Sequence, residues 1–459
     1  MPRTLVNAFF TLLLLVCVPR TSSAQTSVLD IAVPSGPAGY IQLPAVPLDS
    51  IQAPSSAPLL VFPAGADSSR GSLSSDDNAA GGGPGASAAT TSAGRASSPI
   101  GGVITGLDTV PTFAGAFAGQ AGVSLGRVFP FIMVGKDPRA GDTTRIPAKI
   151  TAVSLKLLNA DGTLNATMPF APFEDLTEDS PNFEAANYTS GRHIQFGDAV
   201  QRAEFFKSMD EDWHTVLSGP QFVNRVTLTI PRFVNVRFPD GTIKPVQAYY
   251  LGHAPNGDPF VQLLDLLFNS VYFGQAVNDI VAGNFTTDAI NIQMYPNTYL
   301  FSINPQGQPS GCCVLGFHTY IFQAGITPQP RWLFNFASWI SPGLFGAGFQ
   351  DVTALSHEIS ETLNDPFVNN VTPLWQFPGV PATAKTCQGN LETGDPVEVL
   401  ANATVNIKLR ERREVFTYHP QTEALLQWFE MGATSDALDG AFSYPNTAAL
   451  PRSALPCPQ

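Results

Sequence analysis

Apolar positions follow two different periods in the chain after about residue 120. Alternating or continuous runs rich in β-branched and aromatic residues predict strands, and apolar residues three or four apart predict helices. The predicted strands cover residues 128–134, 150–158, 226–236, 290–303 and 314–322, and the predicted helices cover 201–217, 260–273 and 351–364. The apolar segment 333–339 fits either structure. Residues 405–418 predict a hairpin, and 422–431 predict a short helix.

This mixture of elements, without an internal repeat, predicts a single α+β domain over residues 120–459. Residues 25–119 differ in composition. Residues 25–63 are rich in Pro and Ala, and residues 64–102 are almost all Ala, Gly, Ser, Thr and Asp. Such a segment buries too little apolar surface to offset its chain entropy. We expect a disordered linker there, either a spacer or a pro-segment.

The first 24 residues have the layout of a signal peptide. A basic start containing Arg3 is followed by an apolar run from Leu5 to Val18, and small residues precede Gln25. The run is shorter than the about 20 apolar residues that a membrane-spanning helix needs. We therefore expect an extracellular protein with no membrane span after removal of the signal.

The net charge of the chain limits the classes of binding partner that we expect. The formal net charge is -13, and only 13% of the residues are charged. Because an acidic surface repels phosphate backbones, nucleic acid is excluded as the expected partner. Five Asn-x-Thr sequons permit N-glycosylation. They begin at Asn165, Asn187, Asn284, Asn370 and Asn402.

Four cysteines remain after the signal, and an even number in an exported chain predicts two disulfides. They are Cys312, Cys313, Cys387 and Cys457. Because a bond between neighbouring cysteines has unfavourable geometry, we expect Cys312 and Cys313 each to pair with one of the other two, in an order left open. Metal ligation by these cysteines is the weaker alternative, since no C-x-x-C spacing is present.

The segment 351–364 concentrates acidic and imidazole side chains that could bind a metal or act in catalysis. Asp351 is a candidate N-cap, and Leu355, Ile359 and Leu363 form one apolar stripe. His357, Glu361 and Asp365 recur at the same spacing on roughly the opposite side. One face of the helix should pack into the core while the other presents an imidazole and carboxylates together. A solvated polar face is the alternative.

This segment resembles the zinc peptidases that carry H-E-x-x-H on a helix, with Glu361 in place of the second histidine. The resemblance implies a zincin-like domain in which His357 and Glu361 bind zinc and Glu358 is the catalytic general base. Calcium or another divalent cation is the less favoured metal, because a carboxylate also suits those ions.

A broader resemblance covers about 90 residues. Three motifs are similar to those of a secreted, largely uncharacterised family with a zincin-like signature, and more distantly to the plant Exordium or phosphate-induced proteins. The motifs are Cys-x-x-Gly-Phe-His at 313–318, the run S-H-E-x-x-E-x-x-x-D-P at 356–366, and E-x-x-D-P-V-E at 392–398. The resemblance brings His318 to the site as a candidate histidine and Glu392 and Asp395 as candidate metal ligands.

We expect a secreted metal-dependent hydrolase, most simply a zinc peptidase acting on a peptide or protein substrate. The third ligand should come from Asp365, Glu392 or Asp395, with the Glu392–Asp395 loop favoured. The alternative is a non-catalytic extracellular or cell-wall protein with a structural metal site. Oligomeric state stays open. Ser124 in G-x-S-x-G is set aside, because a strand follows it where a nucleophile elbow needs a helix.

Overall fold

The computed structural model describes residues 32–35, 39–42, 59–61, 110–188, 191–238, 240–322, 330–345, 348–379, 387–411 and 414–457. The predicted signal peptide and the predicted linker at 64–102 lie outside these residues. Strands outnumber helices, and the fold is a mixed α+β fold, as the sequence predicts. No helix among the described residues has both the length and the apolar character to cross a lipid bilayer.

Most of the regular elements are strands, which are numbered in chain order. They are β1 (Ala32–Ser35), β2 (Gly39–Gln42), β3 (Leu59–Val61), β4 (Thr112–Ala118), β5 (Val128–Val134), β6 (Thr143–Leu158), β7 (Leu164–Met168), β8 (Ala186–Asn187), β9 (His193–Ile194), β10 (His214–Ile230), β11 (Phe233–Arg237), β12 (Ile243–Gln247), β13 (Tyr249–His253), β14 (Pro259–Leu264), β15 (Ile290–Pro296), β16 (Thr298–Ile303), β17 (Pro309–Val314), β18 (Gly316–Phe322), β19 (Arg331–Trp339), β20 (Val371–Gln376), β21 (Cys387–Asn390), β22 (Ile407–Glu411), β23 (Glu414–Tyr418), β24 (Glu423–Ala424) and β25 (Ser443–Tyr444).

The helices are α1 (Glu174–Glu178), α2 (Phe196–Glu204), α3 (Asp265–Val281), α4 (Thr353–Asn364), α5 (Asp395–Glu398) and α6 (Leu426–Phe429). The largest sheet has six strands in the order β10-β6-β15-β19-β18, with β7 beside β6. Strands β10, β6, β15 and β19 run parallel, and β18 and β7 are antiparallel to their neighbours. The edge strand β18 is the one that reaches the candidate site.

Helices α3 and α4 cover opposite faces of this sheet at β18 and β19. Successive side chains of a strand point to opposite faces. Phe317 and Phe336 make ring contacts with Phe268 of α3, so their side chains mark the α3 face. Asn335, which precedes Phe336 on β19, accepts a hydrogen bond from Thr362 of α4. Because His318 is the register partner of Asn335, its side chain points to the α4 face.

The predicted helix 201–217 is wrong over most of its length. Helix α2 ends at Glu204, and β10 begins at His214. An acidic turn separates them, in which the Asp210 carbonyl accepts the Trp213 amide. Phe205 and Trp213 do pack together, with ring centroids 5.8 Å apart, but from opposite sides of that turn.

Other predicted boundaries merged or divided real elements. The strand predicted at 226–236 is two strands, because Pro231 lacks the amide that would continue the ladder. The strand 290–303 divides at Asn297, whose left-handed φ of 43° interrupts the extended backbone, and the two halves join different sheets. The helix predicted at 260–273 begins as strand β14, whose continuous apolar run has no period to separate strand from buried helix. The strand at 128–134, the hairpin at 405–418 and the core stripe of α4 are confirmed.

The predicted disulfide pairing is wrong. The structure pairs Cys312 with Cys313 and Cys387 with Cys457. Cys387 begins a strand that pairs with β20, and the C-terminal segment runs along β20 as well, through a bridge between Trp375 and Pro456. This arrangement brings Cys387 and Cys457 together, while β17 with the other two cysteines belongs to a different sheet.

The sequons do not all present an accessible asparagine. Asn370 is buried, and its side-chain nitrogen donates to the carbonyls of Ile132 and Asn364. Its glycosylation stays a prediction. Asn284 is half-buried and its amide donates to Asp279. Three sequon asparagines are exposed, and their glycosylation stays a prediction: Asn165, Asn187 and Asn402.

Candidate metal centre

Helix α4 supplies three side chains to one buried cluster. All twelve of its residues are buried, with Leu355, Ile359 and Leu363 in the main apolar core. The alternative of a solvated polar face is therefore wrong. His357, Glu358 and Glu361 offer ligand atoms that lie within 4.8 Å of one another.

The start of α4 differs from the sequence prediction. The helix begins at Thr353, and its N-cap is Val352, which makes no side-chain capping bond. Asp351 accepts the Val352 amide, but its carboxylate also holds His419, through the His419 amide at 2.9 Å and the ring Nδ1 at 2.6 Å. Asp351 thus ties the helix start to the segment at 419 instead of capping it.

His318 enters the cluster from β18. Its Nε2 lies 3.1 Å from the Asp365 carbonyl oxygen, and its Nδ1 faces the carboxylates. From that Nδ1, the Glu361 Oε2 is 3.3 Å away, and the Oε2 atoms of Glu358 and Glu392 are each 3.9 Å away. The histidine that the motif resemblance singled out therefore lies in the centre.

Glu361 lies close to both histidines of the cluster. Its Oε2 lies 3.0 Å from His357 Nε2, yet neither atom has a hydrogen-bond partner among the described residues. Its Oε1 accepts the Gly394 amide at 2.9 Å, which fixes the carboxylate plane. A nitrogen and an oxygen this close without hydrogen-bond geometry are placed as two ligands of one cation would be.

The loop at 392–395 closes the other side. Glu392 lies next to His318, and Asp395 Oδ1 lies 3.6 Å from His357 Nε2. The second Asp395 oxygen accepts from Gln388 at 2.8 Å. Cys387, bonded to Cys457, begins the strand that leads into this loop. The sequence prediction that this loop meets the helix is consistent with these distances.

Asp365 is not among the converging ligand atoms. Its carboxylate turns to the backbone, where it accepts the amides of Asn369 and Asn370 at 2.9 and 3.1 Å. It reaches the centre only through its carbonyl, which holds the His318 ring. Asp365, one of the three candidates for the third ligand, therefore meets the centre through its backbone carbonyl and not through its carboxylate.

Two glycines leave room for the cluster, and the sequence analysis missed both. A Cβ added to Gly394 would lie 2.5 Å from His357 Cε1, and one added to Gly316 would lie 2.7 Å from Glu358 Cγ. Both distances are far inside van der Waals contact. Each glycine lies within one of the motifs quoted above. Its closeness in sequence to the candidate ligands is the signal that could have identified it.

Glu423 is a third residue that the sequence analysis missed. It is fully buried on β24, and neither of its carboxylate oxygens has a hydrogen-bond partner among the described residues. Burial raises its pKa well above the ordinary value, while the charge of His357 lowers it. The Ala424 amide donates to the Thr393 carbonyl at 2.7 Å, which places β24 beside the loop at 392–395. No motif marks Glu423 in the sequence, where it lies between Thr422 and Ala424.

Burial and neighbouring charges shift the pKa values of His357 and Glu361 in opposite directions. Burial lowers the pKa of His357, but the charges of Glu361 and Glu358 outweigh burial and hold that pKa well above its ordinary value. Burial raises the pKa of Glu361, but the charge of His357 outweighs it and holds that pKa below the usual range. Burial also raises the pKa of Asp365, to about 6.

The spacing of the cluster fits a divalent cation. Ligands about 2.1 Å from a tetrahedral zinc stand roughly 3.4 Å from one another. Glu361 Oε2 lies 3.0 Å from His357 Nε2 and 3.3 Å from His318 Nδ1, and Asp395 Oδ1 lies 3.6 Å from His357 Nε2. These buried His and Glu groups could therefore hold a metal ion.

Known proteins give no independent assignment. The resemblance to zinc peptidases and to the secreted family stays a prediction that rests on the three motifs at 313–318, 356–366 and 392–398. In the comparisons with known proteins, no family model, no curated protein and no solved structure matches this chain.

Proposed function

We propose that the protein is a secreted metal-dependent hydrolase of the zinc-peptidase type. His357, Glu361 and Asp395 would hold the cation. A bound zinc ion polarises a carbonyl group and lowers the pKa of a bound water to about 7. Glu358 would accept a proton on its carboxylate and pass it on, as a general base does. A peptide or protein is the proposed substrate.

One observation carries this proposal. Glu358 lies in the same buried group as His357 and Glu361, and its ligand atom is within 4.8 Å of theirs. A base must stand within reach of the proton that it removes. If His357 and Glu361 were only structural ligands one turn apart, they would not need a further carboxylate between them in sequence and beside them in space.

The donor set favours zinc over calcium or magnesium. Imidazole nitrogen suits zinc and other transition metals, whereas calcium and magnesium prefer oxygen ligands throughout. Two imidazoles lie in the centre, from His318 and His357. Zinc is therefore the proposed metal.

Extracellular location and a zincin-like fold are parts of the same proposal. The leader pattern at 1–24 and the disulfide between Cys387 and Cys457 support export, because disulfides persist in oxidising compartments. The position of α4 against β18 and β19 supports a zincin-like arrangement, in which one helix brings the site residues to the edge of a mixed sheet.

A structural metal centre is the second candidate, and burial is the observation that favours it. Closed sites with no open position are typical of structural zinc. Glu361 is fully buried, and even His357, the most exposed member, is only 6% exposed. In this reading the cation would join α4, β18 and the loop at 392–395 without catalysis.

Two variants separate these functions. Glu358→Gln should keep its zinc and lose at least 100-fold of chelator-sensitive cleavage of a denatured protein substrate, because the amide cannot take a proton. Glu414→Gln, at an exposed position on β23, is the matched control and should retain activity. Wild-type cleavage by Glu358→Gln would refute the peptidase proposal, and zinc binding without any cleavage in wild type would favour the structural centre.

A further inference from the structure

The centre contains more potential ligands than one zinc ion uses. Two imidazoles and four carboxylates converge, whereas a zinc site takes about four ligands. Glu358 is set aside as the proposed base, and the other five divide into two groups that share Glu361. The first is His357 with Glu361 and Asp395, at 3.0 and 3.6 Å. The second is His318 with Glu361 and Glu392, whose ligand atoms all lie within 4.8 Å of one another.

The orientation of the His318 ring is typical of a metal ligand. A carbonyl oxygen only accepts hydrogen bonds, so the contact between His318 Nε2 and the Asp365 carbonyl places a proton on Nε2. Metal-bound histidines commonly donate their second ring N–H to a backbone carbonyl in this way. The remaining nitrogen, Nδ1, is then the ligating atom, and it faces Glu361 Oε2 at 3.3 Å.

Glu361 Oε2 belongs to both groups. It lies 3.0 Å from the His357 nitrogen and 3.3 Å from the His318 nitrogen, in a side chain that is fully buried. It has no hydrogen-bond partner among the described residues. A carboxylate oxygen between two ligating nitrogens is positioned to bridge two cations, which lie about 3.5–4 Å apart in two-metal sites.

We propose that a second divalent transition-metal ion binds between His318, Glu361 and Glu392, beside the first ion, with Glu361 shared by both. This inference deepens the proposed function and rests on its metal-binding part. The second ion would take one imidazole and two carboxylates, a donor set that suits zinc or manganese. It would also explain why Glu392, which lies beside His318, belongs to the centre.

The test is a zinc count on the full secreted chain. The protein is stripped with a chelator, returned to zinc, dialysed, and measured by mass spectrometry of the metal. Wild type should hold two zinc ions per chain. His318→Gln should hold one, because the glutamine amide can still donate to the Asp365 carbonyl but offers no Nδ1 ligand. His253→Gln, at an exposed histidine on β13, controls for surface binding and should hold two.

Each outcome decides the inference. One zinc in wild type overturns the second site and leaves the proposed function standing, whether or not the variant folds. Two zinc ions in both wild type and His318→Gln place the second ion elsewhere and also overturn the inference. No zinc in wild type overturns both the inference and the metal-binding part of the proposed function.

Discussion

Replacement of Gly394 by alanine tests whether the loop at 392–395 positions His357. Gly394 has a φ of -81°, so alanine fits its backbone and the effect is purely steric. The new Cβ would lie 2.5 Å from His357 Cε1 and 2.6 Å from His357 Cγ. Carbon atoms in contact stand about 3.5–4.0 Å apart, so the ring or the loop must move by roughly 1 Å.

That displacement exceeds what a zinc site tolerates. Ligand distances in such sites hold to about ±0.2 Å. A shift of the loop would also lengthen the 2.9 Å bond from the Gly394 amide to Glu361 Oε1. Disturbed outer contacts typically cost 10–100-fold in metal affinity, and we expect at least that loss here. Overpacking should also destabilise the metal-free protein by about 1–3 kcal/mol.

Zinc affinity is measured by competition with a chromophoric chelator, and stability of the metal-free protein by urea unfolding. Gly274→Ala is the matched control, since it lies within α3 and a Cβ there meets no atom within 4 Å. That control should keep wild-type affinity and gain about 0.5–1 kcal/mol from helix propensity. Wild-type zinc affinity in Gly394→Ala would refute the reasoning.

Three further predictions concern neighbouring features. Gly316→Ala should displace Glu358, whose Cγ lies 2.7 Å from the added Cβ, and lower hydrolysis at least tenfold while zinc content stays at the wild-type value. Burial raises the pKa of Glu204 to about 8, so the folded chain keeps a proton that the unfolded chain loses above about pH 4.5. Stability should therefore fall between about pH 4.5 and 8, and Glu204→Gln should remove this slope and add on the order of 2 kcal/mol at pH 7; equal slopes in urea unfolding would contradict it. Cys387→Ser opens a bridge with a sequence separation of 70 and should cost about 4 kcal/mol, whereas an unchanged melting curve would exclude the bond.

Local patterns predicted the elements whose two faces differ. The stripe of Leu355, Ile359 and Leu363 gave the core face of α4, because a helix with one apolar side has a readable period. The period failed where apolar residues occupy both faces, as in β14, or where aromatic residues on the two sides of a turn imitate a helical period, as at Phe205 and Trp213. Strand order also lay beyond the sequence, since the pairing of β6 with β10 and β15 joins distant segments.

The candidate site was predicted where its members share a helix or a motif. His357, Glu358 and Glu361 lie within one turn of α4, so their proximity follows from helical geometry. Glu423 could not be found in this way, because only the tertiary fold brings β24 to the centre. The disulfide pairing failed for the same reason, since pairing along β20 decides which cysteines meet.

Anomalous diffraction at the zinc absorption edge, from crystals of the protein grown with zinc, tests the central claim most directly. The account predicts a peak about 2.0–2.2 Å from both His357 Nε2 and Glu361 Oε2, the two atoms that now lie 3.0 Å apart. A zinc peak elsewhere on the protein, with none between these atoms, would contradict the account.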